Sequence, residues 1–230
     1  MPIEHHFATG AQGAADIADR IATLLSQAIA ERGVATIAVS GGRSPRPVLE
    51  ALSTAPLDWT KLIVTLVDER WVEPISADSN ERLVREALLQ GPAAHARFVP
   101  MKNHASDAYA GQPAAEETLA ALPWPLDIIL LGMGDDGHTA SLFPAAKDLA
   151  EGLASDALTI AATPPAAPHQ RLSLTASAIL KSRHIFLQIG GAAKKAVYDQ
   201  ALAGGPVEAL PIRLALLQDK VPVEVWISET

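Results

Sequence analysis

Three short apolar runs constrain the fold of this chain most tightly. "VATIAVS" (Val34–Ser40), "LIVTLVDER" (Leu62–Arg70) and "LDIILLG" (Leu126–Gly132) are too uniformly apolar to alternate between a wet and a dry face, and each stops abruptly on glycine or charge. Strands buried on both faces read this way, and they belong to parallel sheets covered by helices. The intervening segments supply the helices. Residues 11–32 place Ile17, Ile21, Leu24, Leu25 and Ala28 at helical spacing, and Gly33 ends the pattern. Helices are also predicted through Pro47 and Leu52, over residues 78–89, in "AAEETLAAL", over Ala192–Leu202 and in "IRLALLQD"; "RFVP", "ALTIAAT", "RLSLT", "HIFLQIG" and "VPVEVWI" are further strand candidates. The expected fold is α/β and Rossmann-like: a doubly wound, largely parallel sheet with helices on both faces, in one domain spanning residues 1–230. "TPPAAP" (Thr163–Pro168) is the most loop-like stretch.

Composition narrows the function. The chain has no cysteine, which excludes disulfides, thiolate metal sites and a cysteine nucleophile. Its net charge is −8 and no Lys/Arg cluster stands out, so nucleic acid is not an expected partner. No apolar run reaches the ~18 residues of a membrane span. "MPIEHHFATG" has no basic segment followed by an apolar stretch, so no signal peptide is expected and the cytoplasm is the expected location.

In open α/β sheets, ligands bind outside the carboxyl ends of the strands. Three such ends carry chemically capable residues. "SGGRSP" combines Ser40, Gly41, Gly42, Arg43 and Ser44 in a turn whose glycines allow close approach and whose backbone N–H groups suit an anion. Ser44 is placed to cap the following helix, with Pro45 in its first turn. "DERW" ends a strand with Asp68 and Arg70 on one face and Glu69 on the other, a carboxylate and a guanidinium suited to sugar hydroxyls and a developing oxyanion. Trp71 is either a pocket wall or a packing residue; Trp59, Trp124 and Trp226 read as packing.

The third end, "GMGDDGHTASLFP", begins with the letters of a dinucleotide fingerprint. However, Asp135 and Asp136 would face a pyrophosphate with negative charge, and the next strand candidate offers no carboxylate for a ribose. A metal reading has Asp135, Asp136 and His138, with no second histidine at helical spacing to complete it. A base reading needs least: the glycines hold His138 over the sheet's end, and Asp135 or Asp136 orients the imidazole. His5 and His6 read as a disordered terminus; His95, His104, His169 and His184 receive no role.

"SGGRSP", "DERWV", "GMGDDGHTASLFP", "RLSLT" and "GAAK" follow one another in the order and spacing of the 6-phosphogluconolactonases, which the chain resembles from Ser40 to Lys194. That family is grouped with glucosamine-6-phosphate deaminases and isomerases, and more distantly with ribose-5-phosphate isomerases. The resemblance implies hydrolysis of 6-phospho-D-glucono-1,5-lactone to 6-phosphogluconate, the second step of the oxidative pentose phosphate pathway, with no organic cofactor and no required metal. It implies His138 as general base, a site lined by Asp68, Arg70 and Asp136, and a phosphate on the Gly41–Ser44 turn with Arg171 and Lys194. Only the family motif selects Lys194 over Lys195. The expected partner is a small phosphorylated sugar lactone, and the expected state is a monomer or weak homodimer. Two other functions fit parts of the pattern. A ring-opening isomerase or deaminase of this group has a glutamate soon after the histidine, whereas here no acid precedes Asp148. A sugar-phosphate-sensing domain has no need for the His138 base.

Overall fold

A computed structural model describes residues 1–229. Its strands are β1 (Ile3–Phe7), β2 (Ala35–Val39), β3 (Leu62–Leu66), β4 (Asp68–Arg70), β5 (Arg97–Phe98), β6 (Leu126–Leu131), β7 (Thr159–Ala162), β8 (Arg171–Leu174), β9 (Ser182–Gly190) and β10 (Val223–Ser228). Its helices are α1 (Gly10–Arg32), α2 (Arg46–Leu52), α3 (Asn80–Ala87), α4 (Ala108–Ala120), α5 (Leu149–Ala154), α6 (Ala176–Leu180), α7 (Ala192–Leu202) and α8 (Arg213–Leu216). Seven strands form one sheet in the order β1-β10-β9-β6-β2-β3-β5, and every neighbouring pair in it is parallel. The three apolar runs supply β2, β3 and β6, each buried along its whole length. The chain builds outward from β2 to β3 and β5, then crosses to β6 on the other side of β2. That reversal leaves a crevice beyond the carboxyl ends of β2 and β6.

Helix α1 forms where its periodicity places it. Thr9 caps it by accepting from Gln12 N–H, and Gly33 ends it at φ 77°, a left-handed angle that disfavours other residues. Ile17, Ile21 and Leu25 recur every fourth residue and are fully buried. Burying each such side chain contributes roughly 1.5–3 kcal/mol. No helix among the described residues is long and apolar enough to cross a membrane.

Several expectations need correction. "LIVTLVDER" is two strands. Val67 N–H still reaches Val39 O, the last residue of β2, but beyond it the neighbouring strand has ended. The chain therefore leaves the parallel sheet, and β4 pairs antiparallel with β8 in a second, three-stranded sheet of order β4-β8-β7. The amino terminus is an ordered edge strand: the His5 ring stacks on Trp226 at 4.0 Å, and its Nε2 lies 3.1 Å from Glu224. Helices α5 and α6 had no prediction, and α4 begins two turns earlier than its apolar pattern, capped by Asp107. Trp71 packs on Gly111 of α4, where a Cβ would stand 2.1 Å from the indole, and its Nε1–H donates to Ala105 O; it is not a pocket wall.

Candidate active site

The crevice is a cavity of about 380 Å³. Ser40 joins its two sides: its N–H donates to Leu130 O at 2.9 Å, and its hydroxyl accepts from Gly132 N–H at 3.0 Å. Nine of the eleven predicted site residues line it: Ser40, Gly41, Gly42, Arg43, Ser44, Asp68, Arg70, His138 and Lys194. Asp136 and Arg171 each adjoin a lining residue, Asp136 through its contact with His138 and Arg171 as the cross-strand neighbour of Arg70.

One wall is rich in donors. Gly42 adopts φ 98°, and Gly41 is pressed so closely against Asn80 that a Cβ would sit 1.8 Å from Asn80 Oδ1. Only glycine permits this approach. The N–H groups of Gly41, Gly42, Arg43 and Ser44 donate to no acceptor among the described residues. Ser44 does not cap α2, which begins after Pro45 with no side-chain cap. Lys194, at the start of α7, extends its Nζ to within 2.7 Å of Met133 O, at the rim of the histidine turn. Lys195 faces solvent and pairs instead with Asp199.

The β4 wall carries both signs of charge. Asp68 and Arg70 face the cavity, as strand alternation requires, and Glu69 faces the other way. Glu69 accepts from the N–H groups of Arg70, Asn80 and Glu81 and from the Ser79 hydroxyl, at 2.7–3.0 Å. Burial pushes its carboxyl upward in pKa, and those four donors oppose the shift. Glu69 thereby locks the start of α3 to β4 and delivers Asn80 to the cavity. No sequence signal distinguished Asn80 or Glu69 beforehand, because their roles depend on contacts across the turn rather than on local pattern. Arg171 sits opposite Arg70 in the β4–β8 register, 7% exposed. Its Nε and Nη1 are buried without an acceptor, and burial together with the Arg70 charge holds its pKa below the usual arginine value. Arg70 Nη1 donates to Asp78 O at 2.5 Å.

The third wall is the histidine turn. Gly134 N–H donates to His138 O, and Gly137 N–H to Gly134 O, with Gly137 at φ 75°. The loop is thus a tight self-bonded turn. His138 Nδ1 lies 2.5 Å from Asp136 Oδ1, which also accepts the His138 N–H at 3.1 Å. This contact holds the Asp136 carboxyl below the usual carboxylate range. An ionised carboxylate only accepts, so the contact places the proton on Nδ1 and leaves the Nε2 lone pair for chemistry. The geometry selects Asp136 over Asp135 as the imidazole's partner. Phe143 supports the ring at 4.4 Å between centroids. Among the described residues, no group of three or more His, Asp or Glu side chains is arranged to hold a metal ion.

Residues 8–225 match the family described as glucosamine-6-phosphate isomerases/6-phosphogluconolactonase. A 6-phosphogluconolactonase of Pseudomonas putida is 45% identical, over 96% of this chain and 91% of its own. One from Mesorhizobium japonicum is 47% identical, over 94% and 90%. The crystal structure of a 6-phosphogluconolactonase from Shewanella baltica superposes with a TM-score of 0.98 at 45% identity, over 99% of this chain and 98% of that one.

Proposed function

Because the chain belongs to the glucosamine-6-phosphate isomerase/6-phosphogluconolactonase family, we propose that this lactone hydrolase opens 6-phospho-D-glucono-1,5-lactone by general-base catalysis from His138. One observation carries the reading. The His138–Asp136 pair presents a free Nε2 to a cavity whose other walls hold uncommitted N–H groups, Lys194 and Arg70.

A δ-lactone is an activated ester, so no covalent nucleophile is needed. Water attacks C1 while Nε2 takes one of its protons. The carbonyl electrons move onto oxygen, and Arg70 or a turn N–H stabilises that oxyanion. Collapse breaks the bond between C1 and the ring oxygen, and the proton held on Nε2 passes to that oxygen. The immediate products are a carboxylic acid, which still holds water's second proton, and a hydroxyl; the acid then ionises and releases that proton to solvent. Asp136 stabilises the transient imidazolium. The phosphate occupies the Gly41–Ser44 turn with Lys194. Arg171 adds its positive charge from beside Arg70, its cross-strand neighbour. General-base assistance contributes ~10²–10⁴-fold, and anchoring through the phosphate adds positioning.

The ring-opening alternative lacks its acid. Asp148, the first carboxylate after His138, accepts from Tyr109 Oη and Thr163 N–H and does not line the cavity. The test follows acid release from fresh 6-phosphogluconolactone above the spontaneous rate. The protein should accelerate release, and His138→Ala should lose ~10²–10⁴-fold. A background rate with the intact chain overturns the assignment; full activity in His138→Ala removes the base and leaves the hydrolase.

A further inference from the structure

The cavity's donors far outnumber its acceptors. Arg43, Arg70, Lys194 and the turn N–H groups all donate, while Asp68 is the single carboxylate among the lining residues. A sugar lactone brings the opposite need at its ring, where several hydroxyls each require an acceptor. Asp68 is therefore the charged group that can read those hydroxyls, provided its carboxylate is held in one orientation; the side-chain amide acceptor on the wall, Asn80 Oδ1, is neutral and buried.

That orientation comes from a residue outside the cavity. The Ser141 hydroxyl donates to Asp68 Oδ2 at 2.6 Å, fully buried. On the other side, Asn80 Nδ2 donates to Asp68 O at 2.8 Å and lies 3.4 Å from Oδ1. The backbone around Ser141 is arranged to make this contact. Ala140 takes a left-handed φ of 51°, which turns the chain away from the cavity immediately after His138 and sends Ser141 toward Asp68. Left-handed alanine costs of order 1 kcal/mol, and such strain persists where the surroundings enforce it. The Ser141 N–H is tied separately to Ser173 Oγ at 3.0 Å, and Thr139 bridges Leu142. The main chain is therefore anchored without the Ser141 hydroxyl, whose one partner among the described residues is Asp68.

We infer that Ser141 is a positioning residue: its hydroxyl pins one edge of Asp68 so that the remaining acceptor positions face the cavity and bind a ring hydroxyl of the lactone. The inference rests on the lactonase reading and extends it to substrate discrimination. It also ties the base and the hydroxyl reader to one short segment, since His138 and Ser141 lie on either side of the Ala140 turn.

The test is a cycle between the protein and the substrate. Wild type and Ser141→Ala are assayed with 6-phosphogluconolactone and with its 2-deoxy, 3-deoxy and 4-deoxy forms, alongside thermal unfolding of both proteins. Loss of a hydrogen bond to a charged group predicts a roughly tenfold to hundredfold fall in kcat/KM for the parent lactone, carried mainly by KM. For at least one deoxy lactone the Ser141→Ala penalty should shrink toward unity, because the hydroxyl that Asp68 would bind is absent. The unfolding midpoint should fall by no more than about ten degrees, as expected for one buried hydrogen bond, with the variant still folded at the assay temperature. An unchanged kcat/KM for the parent overturns the inference. So does an equal penalty on all four lactones, which would mark a general loss of structure. An inactive wild type refutes the lactonase reading instead, so the two failures are distinguishable.

Discussion

Gly134→Ala isolates the placement of the proposed base, His138, from its presence. Gly134 is not in a left-handed conformation, so alanine is compatible with its backbone. The obstacle is the imidazole. A Cβ at this position would stand 2.1 Å from His138 Nδ1, 2.2 Å from Cε1 and 2.6 Å from Asp136 Oδ1. To restore an ordinary 3.4 Å contact with Nδ1, the ring must recede by about 1.3 Å. A misplacement of ~1 Å at a reacting group can cost ~10²-fold, so kcat should fall by about that factor. KM should hold, because the donors of the Gly41–Ser44 turn and Lys194 are untouched. The loss should not exceed that of His138→Ala, which removes the base outright. The double variant Gly134→Ala/His138→Ala should be no slower than His138→Ala alone, since both changes act through one group. Initial rates of acid release from fresh lactone, corrected for spontaneous opening, measure all three. Wild-type kcat in Gly134→Ala, or losses that multiply in the double variant, would refute the placement argument.

Two further predictions address the site's charges. Lys194→Met should raise KM by roughly ten- to hundredfold through loss of a charge-assisted contact to phosphate, with Lys195→Met near wild type because Lys195 pairs with Asp199 in solvent; equal effects in the two variants would remove Lys194 from the anion site. The His138 contact lowers the Asp136 pKa in the folded state, so its contribution to stability is present above the ordinary value of 3.8 and is lost as pH falls through the lower folded value. Urea unfolding should therefore show a larger His138→Ala penalty at about pH 6 than at about pH 3, the difference staying below about 1 kcal/mol because Asp136 is half exposed; a penalty independent of pH would contradict the carboxylate–imidazole contact.

What the sequence disclosed was local. The apolar runs of β2, β3 and β6 and the glycine-rich turns beyond β2 and β6 follow from short-range pattern, and all three appear where that pattern placed them. The facing of Asp68 and Arg70 followed from alternation alone, even though the strand proved to be two. What stayed hidden depends on partners far along the chain. The break at Val67 is set by where β2 ends, and nothing in "LIVTLVDER" announces it. The β1 strand is held by Trp226 and Glu224 from the far end of the sequence. Asn80 matters because Gly41 approaches it, and Ser141 because it meets Asp68 across the fold. Arg171 meets Arg70 directly across the β4–β8 register, on the same face of the small sheet, a pairing of two distant segments that no local pattern announces.

The Ala140 turn also bears on why this site suits hydrolysis rather than ring opening. Between His138 and Asp148, Ala140 is the one residue that lines the cavity. Its left-handed backbone sends Ser141 and Leu142 into the interior, and by Asp148 the chain has moved to the contacts with Tyr109 and Thr163. A second proton-handling carboxylate from this segment would have to stand at position 140, where the structure offers a methyl group. Ring opening ahead of isomerisation needs an acid held at the ring oxygen in addition to the base that works at the carbons, and no carboxylate of this segment lines the cavity. Lactone opening returns to the ring oxygen the proton taken from water, and one histidine can carry it through both transfers. The site's single imidazole, backed by Asp136 and set opposite a wall of anion donors, matches that smaller demand.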